Sequence, residues 1–297
     1  MRRAWALPNV SHEWSVSLIG AACHNRGMGV VERVRSWFGE LCVSVFRRPA
    51  LQVAGDEGSG PVVILVHGIA SSSVTFQHLV PLLAEHHRVI SIDILGHGGS
   101  PAPPKATYTI EEHVAWLERT IRRLGLREPF VIVGHSLGAL LVSRYARENP
   151  SKVSKTVLVS PPIYISPAEV GDRFERAALG AYLKAYEFLR ANKQFTLRNA
   201  AVISRLMPIK NVFEVTEANW DAFVKSLQNC IESQTTISDI AGIQSPVEIV
   251  YGSLDQFIVP GGMRIVEKLR HVTMHQVDAN DHLIRRRMAK VVAQVIG

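Results

Sequence analysis

Apolar residues recur along this chain with two different periods. From Val30 they come at three- and four-residue spacing (Val30, Val34, Trp37, Phe38, Leu41, Val45, Phe46), with Glu32, Arg33, Arg35, Glu40, Arg47 and Arg48 mostly on the other faces. That spacing predicts an amphipathic helix. After Pro49 the pattern changes to short β-branched runs. Residues 62–66 (Val-Val-Ile-Leu-Val) are continuously apolar, as expected of a strand buried on both faces. The pattern then predicts a helix over 74–84, a strand over 88–94, a helix over 110–124, a strand over 130–133, a helix over 137–147 and a strand over 155–160. Downstream, a strand over 247–251, a helix over 262–269, a strand over 272–277 and a helix over 283–296 resume the alternation. Short buried strands alternating with helices imply a doubly wound, mostly parallel sheet with helices on both faces. In such sheets catalytic groups gather at the carboxyl ends of the strands.

Between 161 and 244 the rhythm breaks. Stretches 169–193, 195–207 and 217–233 read as helices, with no strand of the buried type between them. Phe174, Ala178, Tyr182, Ala185, Tyr186 and Leu189 form an apolar stripe, which is core packing more often than pocket lining. The chain therefore divides into an N-terminal arm (1–49), an α/β core (50–160 and 245–297) and a helical cap (161–244).

Composition narrows the class. The 297 residues are 47% hydrophobic and 20% charged, enough apolar material for one large folded domain. No apolar run reaches the roughly 18 to 20 residues of a bilayer-spanning helix. Cys23, Cys42 and Cys230 are too few and too scattered for a disulfide framework or a paired-cysteine metal site, and a cytoplasmic location fits best. Met1-Arg2-Arg3 and the apolar stretch from Trp14 to Cys23 sketch a secretory signal, but His12 and Glu13 interrupt the approach. Gly20 also stands where a lipoprotein signal wants a Leu-like residue. Translation from Met28, or a loose tail, accounts for residues 1–27 instead.

The net charge of +7 raises nucleic-acid binding as a function. Residues 1–50, however, hold seven Arg against three Glu, so the other 247 residues carry only +3. With no basic stripe interleaved with aromatics, nucleic acid is excluded as a partner. The arginine-flanked helix of the arm supports peripheral contact with an anionic membrane surface, or docking on its own domain.

The chemistry is concentrated in a few short motifs. Gly134-His135-Ser136-Leu137-Gly138 follows one predicted strand and opens a helix. That is the strand–turn–helix context of a nucleophile elbow. The glycines are needed because side chains two before or two after Ser136 would collide with the neighbouring helix and strand. A serine hydroxyl needs a base. His282, in Asn280-Asp281-His282, sits on a loop just past the strand at 272–277. His135 adjoins the nucleophile, but neighbours on a tight turn point apart, while His67 and His97 belong to other loops. The acid should lie between nucleophile and base in chain order, and Asp255, just past the strand at 247–251, fits. Asp239 is a weaker rival, and Asp278 and Asp281 are too close to His282 in sequence. Backbone N–H groups of Leu137, next after the nucleophile, and Ile69, on the loop after residues 62–66, are the candidate oxyanion donors. The Ser71–Ser72–Ser73 run reads as a cap for the next helix.

Together, His67-Gly68-Ile69, Asp93-Ile94-Leu95-Gly96-His97-Gly98-Gly99-Ser100, Gly134-His135-Ser136-Leu137-Gly138, Gly252-x-x-Asp255 and Asp281-His282 resemble the α/β-hydrolase superfamily, over about residues 51–297. The resemblance is to the serine-nucleophile branch with a helical cap after the sixth strand. It implies a structural role for the Asp93–Ser100 loop and no metal or organic cofactor. Ser at the elbow, where epoxide hydrolases and haloalkane dehalogenases of the superfamily carry Asp, argues against both. The lone His-Gly-x loop is unlike the Gly-Gly-Gly-x loop of hormone-sensitive-lipase-type esterases. Leu283 after the histidine differs from the aromatic typical of carbon–carbon bond hydrolases. The function implied is hydrolysis of a carboxylic ester, lactone or thioester of a small to medium apolar substrate. The alternatives are carbon–carbon bond hydrolysis or cofactor-free perhydrolysis on the same triad, and a small-molecule receptor with little turnover.

Overall fold

The apolar run at residues 62–66 becomes an inner strand of a seven-stranded sheet. The computed structural model describes residues 49–165, 173–206, 209 and 212–297. Its strands are β1 (Val53–Glu57), β2 (Val62–Val66), β3 (Arg88–Ile92), β4 (Phe130–His135), β5 (Val153–Val159), β6 (Val247–Gly252) and β7 (Val272–Val277), in the spatial order β1-β3-β2-β4-β5-β6-β7. Only β1 runs antiparallel to its neighbour; the other five pairings are parallel. Alternate residues feed two apolar layers. Ile64, Val66, Ile90 and Ile132 face one, while Val63, Leu65, Val89 and Val133 face the other. Both faces are therefore covered, as the unbroken apolar runs require.

The helices are α1 (Val80–Leu83), α2 (Ile110–Arg123), α3 (Leu137–Glu148), α4 (Arg173–Ala191), α5 (Lys193–Leu206), α6 (Trp220–Ser226), α7 (Thr236–Ala241), α8 (Pro260–Val266) and α9 (Arg286–Ile296). A π-helical turn, Leu227–Ile231, extends α6. The start of α2 is fixed by a capping box: Thr109 accepts from the Glu112 N–H, and Glu112 reaches back to the N–H groups of Thr107 and Tyr108. Met288, Ala289 and Val292 of α9 close the second apolar layer.

Several expectations need correction. β1 was not anticipated, because Val-Ala-Gly-Asp-Glu is a polar antiparallel edge rather than a buried run. The helix expected over 74–84 is a 3-10 turn, Ser73–Phe76, followed by the four-residue α1, with Pro81 in its first turn. The last helix begins at Arg286 instead of 283. α4 to α7 fall between β5 and β6, within the 161–244 stretch expected to be helical. The arm helix and its membrane contact lie on residues outside the described ones.

What matters for function is register. Val66 pairs with Gly134, His135 with Val159, Val159 with Val250 and Gly252 with Val277. The carboxyl ends of β2, β4, β5, β6 and β7 therefore finish side by side, and the loops that follow them converge.

Candidate active site

Ser136 follows β4 directly and has φ 54° and ψ −122° before α3 begins. A non-glycine residue at positive φ is strained, and it persists only when its surroundings fix it. Here they do. A side chain at Gly134 would strike the carbonyl of Gly138, and one at Gly138 would strike the carbonyls of Val66 and His67. The turn can therefore press against both the helix and β2 only with glycine at both places. Three other residues near the same sheet end, Ala70, Ser160 and Ala279, also have φ near +50° (52°, 49° and 53°). Loops after β2, β4, β5 and β7 are all bent sharply around one point.

His282 meets Asp255 there. Its Nδ1 lies 3.0 Å and 2.9 Å from the two carboxylate oxygens. A carboxylate only accepts, so Nδ1 carries the proton, and Nε2 is left with its lone pair outward. Asp255 also accepts the Phe257 N–H at 3.0 Å. Burial pushes the Asp255 carboxyl up, but the hydrogen bond and charge of His282 outweigh it, and the net effect is a pKa below the usual carboxylate value. The Phe257 ring packs edge-on to the His282 ring, with centroids 4.7 Å apart.

Ser136, His282, Gly68 and Ile69 line one cavity of about 360 Å³. The rest of its wall is largely apolar, including Leu189, Val212, Phe213, Phe223, Leu227 and Ile231 from the helical segment. Gly68 packs so closely that a Cβ would lie 2.8 Å from the Cβ of Ser136. Leu137 is fully buried at the first position of α3. Ile69, Ser136 and His282 thus face one cavity, with Asp255 bonded to His282 and Leu137 next after Ser136 in the chain.

The rivals are placed elsewhere. Asp239 is fully buried and accepts from Arg144 and Arg147, both at 2.7 Å, tying α7 to α3. Asp281 reaches the cavity but holds Arg285. His67 accepts the Ile94 N–H through Nε2 and donates from Nδ1 to the Gly68 carbonyl, which bolts the loop after β2 to the loop after β3. Asp93 accepts from the N–H and hydroxyl of Ser73 and from the Gly99 N–H. Ser73, rather than capping through its own side chain, is capped by Asp93. Among the described residues no cluster of His, Cys, Asp and Glu is arranged to hold a metal ion, and no helix is long and apolar enough to cross a membrane.

Two features escaped the sequence reading. His135 points to the main chain of His282, and Tyr186 lines the cavity with its hydroxyl 3.1 Å from that of Tyr164. His135 stands inside the Gly134–Gly138 motif and Tyr186 in the apolar stripe, but what each touches depends on the fold rather than on local sequence.

The model of the alpha/beta hydrolase fold family matches residues 61–284. The chain belongs to this family. Among curated proteins it is similar to a probable lysophospholipase, BODYGUARD 1 of Arabidopsis thaliana, at 31% identity over 140 residues. That match covers 46% of this chain and 29% of the plant protein, so it spans less than a third of the relative's length. Among solved structures, a thermophilic esterase from Thermogutta terrifontis superposes with a TM-score of 0.65 at 18% identity, covering 84% of this chain and 96% of the esterase. A haloalkane dehalogenase loop variant from Bradyrhizobium elkanii superposes at 0.61 and 20% identity, covering 82% and 94%. Likeness at this level establishes the fold alone, and the fold serves more than one chemistry.

Proposed function

We propose that this chain is a serine hydrolase that cleaves a carboxylic ester, or a related acyl bond such as a thioester or lactone, of a small to medium apolar substrate. The observation that carries the reading is the doubly held Asp255–His282 pair opening onto the same apolar cavity as a serine on a strained turn. Ser136 Oγ attacks the acyl carbonyl while Nε2 of His282 takes its proton. Asp255 keeps the imidazole in the Nδ1–H tautomer and stabilises the imidazolium. The N–H groups of Ile69 and Leu137 receive the oxyanion. The tetrahedral intermediate collapses as His282 gives its proton to the departing alcohol, leaving Ser136 acylated. Water, deprotonated by His282, then releases the acid and restores the serine.

The helices between β5 and β6 act as the cap, and their apolar side chains receive the acyl chain. The name of the plant relatives, probable lysophospholipases, supports an acyl ester as the bond cleaved. Turnover of p-nitrophenyl esters from acetate to palmitate tests this, with Ser136→Ala as the control. The expected result is turnover that falls by at least about 10⁴-fold in the variant. A folded wild type that turns over no ester, or a variant that keeps its rate, overturns the assignment.

A further inference from the structure

We infer that His135 is a positioning residue for His282: its imidazole ties the main chain that carries the base to the turn that carries the nucleophile. The inference rests on the reading of His282 as the base. His135 is the last residue of β4 and is 4% exposed. Its Nε2 lies 2.9 Å from the carbonyl oxygen of His282, 147 positions along the chain. A carbonyl only accepts, so Nε2 carries the proton and donates. Nδ1 is then the bare nitrogen, and it is buried with no hydrogen-bond partner. A buried unpaired acceptor costs free energy, so the ring holds its place against a penalty that the Nε2 bond helps to offset. Burial first, and then the charge of neighbouring His282, push the imidazole down to about 3, so it stays neutral and the tether is not switched off in an ordinary assay range.

The loop carrying His282 has two kinds of anchor. On the acid's side, the Leu254 N–H donates to the Asn280 carbonyl at 3.0 Å, the Ala279 N–H donates to Ser253 Oγ at 2.9 Å, and Asp255 grips Nδ1. These bonds fix the base relative to the acid. The His135 bond fixes it relative to Ser136, because His135 and Ser136 are consecutive on one rigid turn. The two imidazole rings lie 5.0 Å apart, tilted by 49°. Acid and base would remain paired without His135, but the pair would lose its register with the nucleophile.

Two variants separate this role from space-filling. His135→Phe keeps a ring and removes the donor, whereas His135→Gln keeps an N–H donor. On a p-nitrophenyl ester, His135→Phe should lose on the order of 10²-fold in kcat with KM within about twofold, and covalent labelling of Ser136 by a fluorophosphonate should slow in parallel. The inflection of its pH–rate profile should stay in place, since the Asp255 bond is intact, and His135→Gln should recover most of the rate. Amides of residues 278–285 should exchange with deuterated water faster in the Phe variant and at the wild-type rate in the Gln variant. Equal losses in both variants, a kcat for His135→Phe within about threefold of wild type, or an unchanged exchange pattern would overturn the tether. If the wild type turns over no ester while loop exchange still responds as expected, the hydrolase reading fails and the tether stands.

Discussion

The floor and the roof of the cavity are built by different means. The floor is held by backbone. Ser136, Ala70, Ser160 and Ala279 sit at positive φ, glycines at 68, 134 and 138 leave no room for a side chain, and polar bonds lock His282 from two directions. The roof is held by side chains. Phe223, Leu227 and Ile231 face the cavity from α6 and its π-turn, while intervening residues strap that segment to the core. Lys225 donates to the Ala106 carbonyl (3.1 Å), Asn229 to that of Thr107 (2.8 Å) and Cys230 to that of Tyr108 (3.2 Å). Strained backbone costs on the order of 1–3 kcal/mol per residue and tolerates little change, whereas apolar residues exchange for others of similar volume at modest cost. On the proposed reading, the difference implies that chemistry and substrate choice can vary independently: floor changes should alter kcat by orders of magnitude, and roof changes should alter which ester is preferred.

The sharpest break would come at Asp255. Asp255→Asn keeps the shape but no longer stabilises the imidazolium or enforces the Nδ1–H tautomer, and kcat should fall by about 10³–10⁴ with KM little changed. Steady-state kinetics on a short-chain ester give the answer; a loss below tenfold would show that the floor does not work as an acid–base unit. Next is Gly68→Ala. Its methyl would sit 2.8 Å from Ser136 Cβ and 3.1 Å from the His135 carbonyl, so either the loop after β2 or the serine must shift. A loss of about 10² in kcat is expected, with thermal unfolding as the check that the chain is still folded. Retained activity would mean that the floor relaxes more readily than its close packing implies.

The floor was largely legible in the sequence and the roof was not, and the reason is physical. A strained turn packed against strand and helix demands glycine at 134 and 138, and proton relay admits few residue types. Ser136, Asp255 and His282, the residues of the proposed relay, are therefore picked out by identity and by position after predicted strands. Which apolar residues face a cavity depends on how helices pack, and periodicity cannot tell Leu227 from any other core leucine. The π-turn is one such case: a widened turn shifts the apolar phase without changing residue type. β1 escaped because an edge strand needs no apolar run, and the task of His135 escaped because its partner is a main-chain carbonyl.

The roof can be probed at Leu227, which is 3% exposed and lines the cavity. Leu227→Trp fills cavity space that, on the proposed reading, would take the acyl chain. Long-chain esters should lose about 10–100-fold in kcat/KM while acetate stays within about threefold. A uniform fall along the series would show that the roof also supports the chemistry, and the division between the two regions would blur.

The smallest effect on rate, and the one that tests how the roof is attached, comes from pH. His113 on α2 reaches across to Ser226 on α6, with Nε2 to Oγ at 3.0 Å. Burial, and secondly the neighbouring histidines, push His113 down to about 3 and His97 to about 4, and burial and His282 push His135 to about 3. In the unfolded chain each titrates near 6.5. Below that value the unfolded state takes up protons that the folded state refuses. Stability is therefore complete above about pH 6.5 and declines as pH falls toward 4 to 3, by about 1.4 kcal/mol per pH unit for each histidine and about 4 for the three. Urea midpoints at pH 6.5, 5.5 and 4.5 measure the slope. Fully buried His67, also held below its ordinary value by burial, adds to the same slope, so His113→Gln should lower it by about 1.4 kcal/mol per pH unit while leaving ester turnover at pH 7.5 within about twofold, because His113 lies outside the floor. An undiminished slope would mean that His113 already accepts a proton in the folded state, and that the roof is seated more loosely on α2 than the floor is on the sheet.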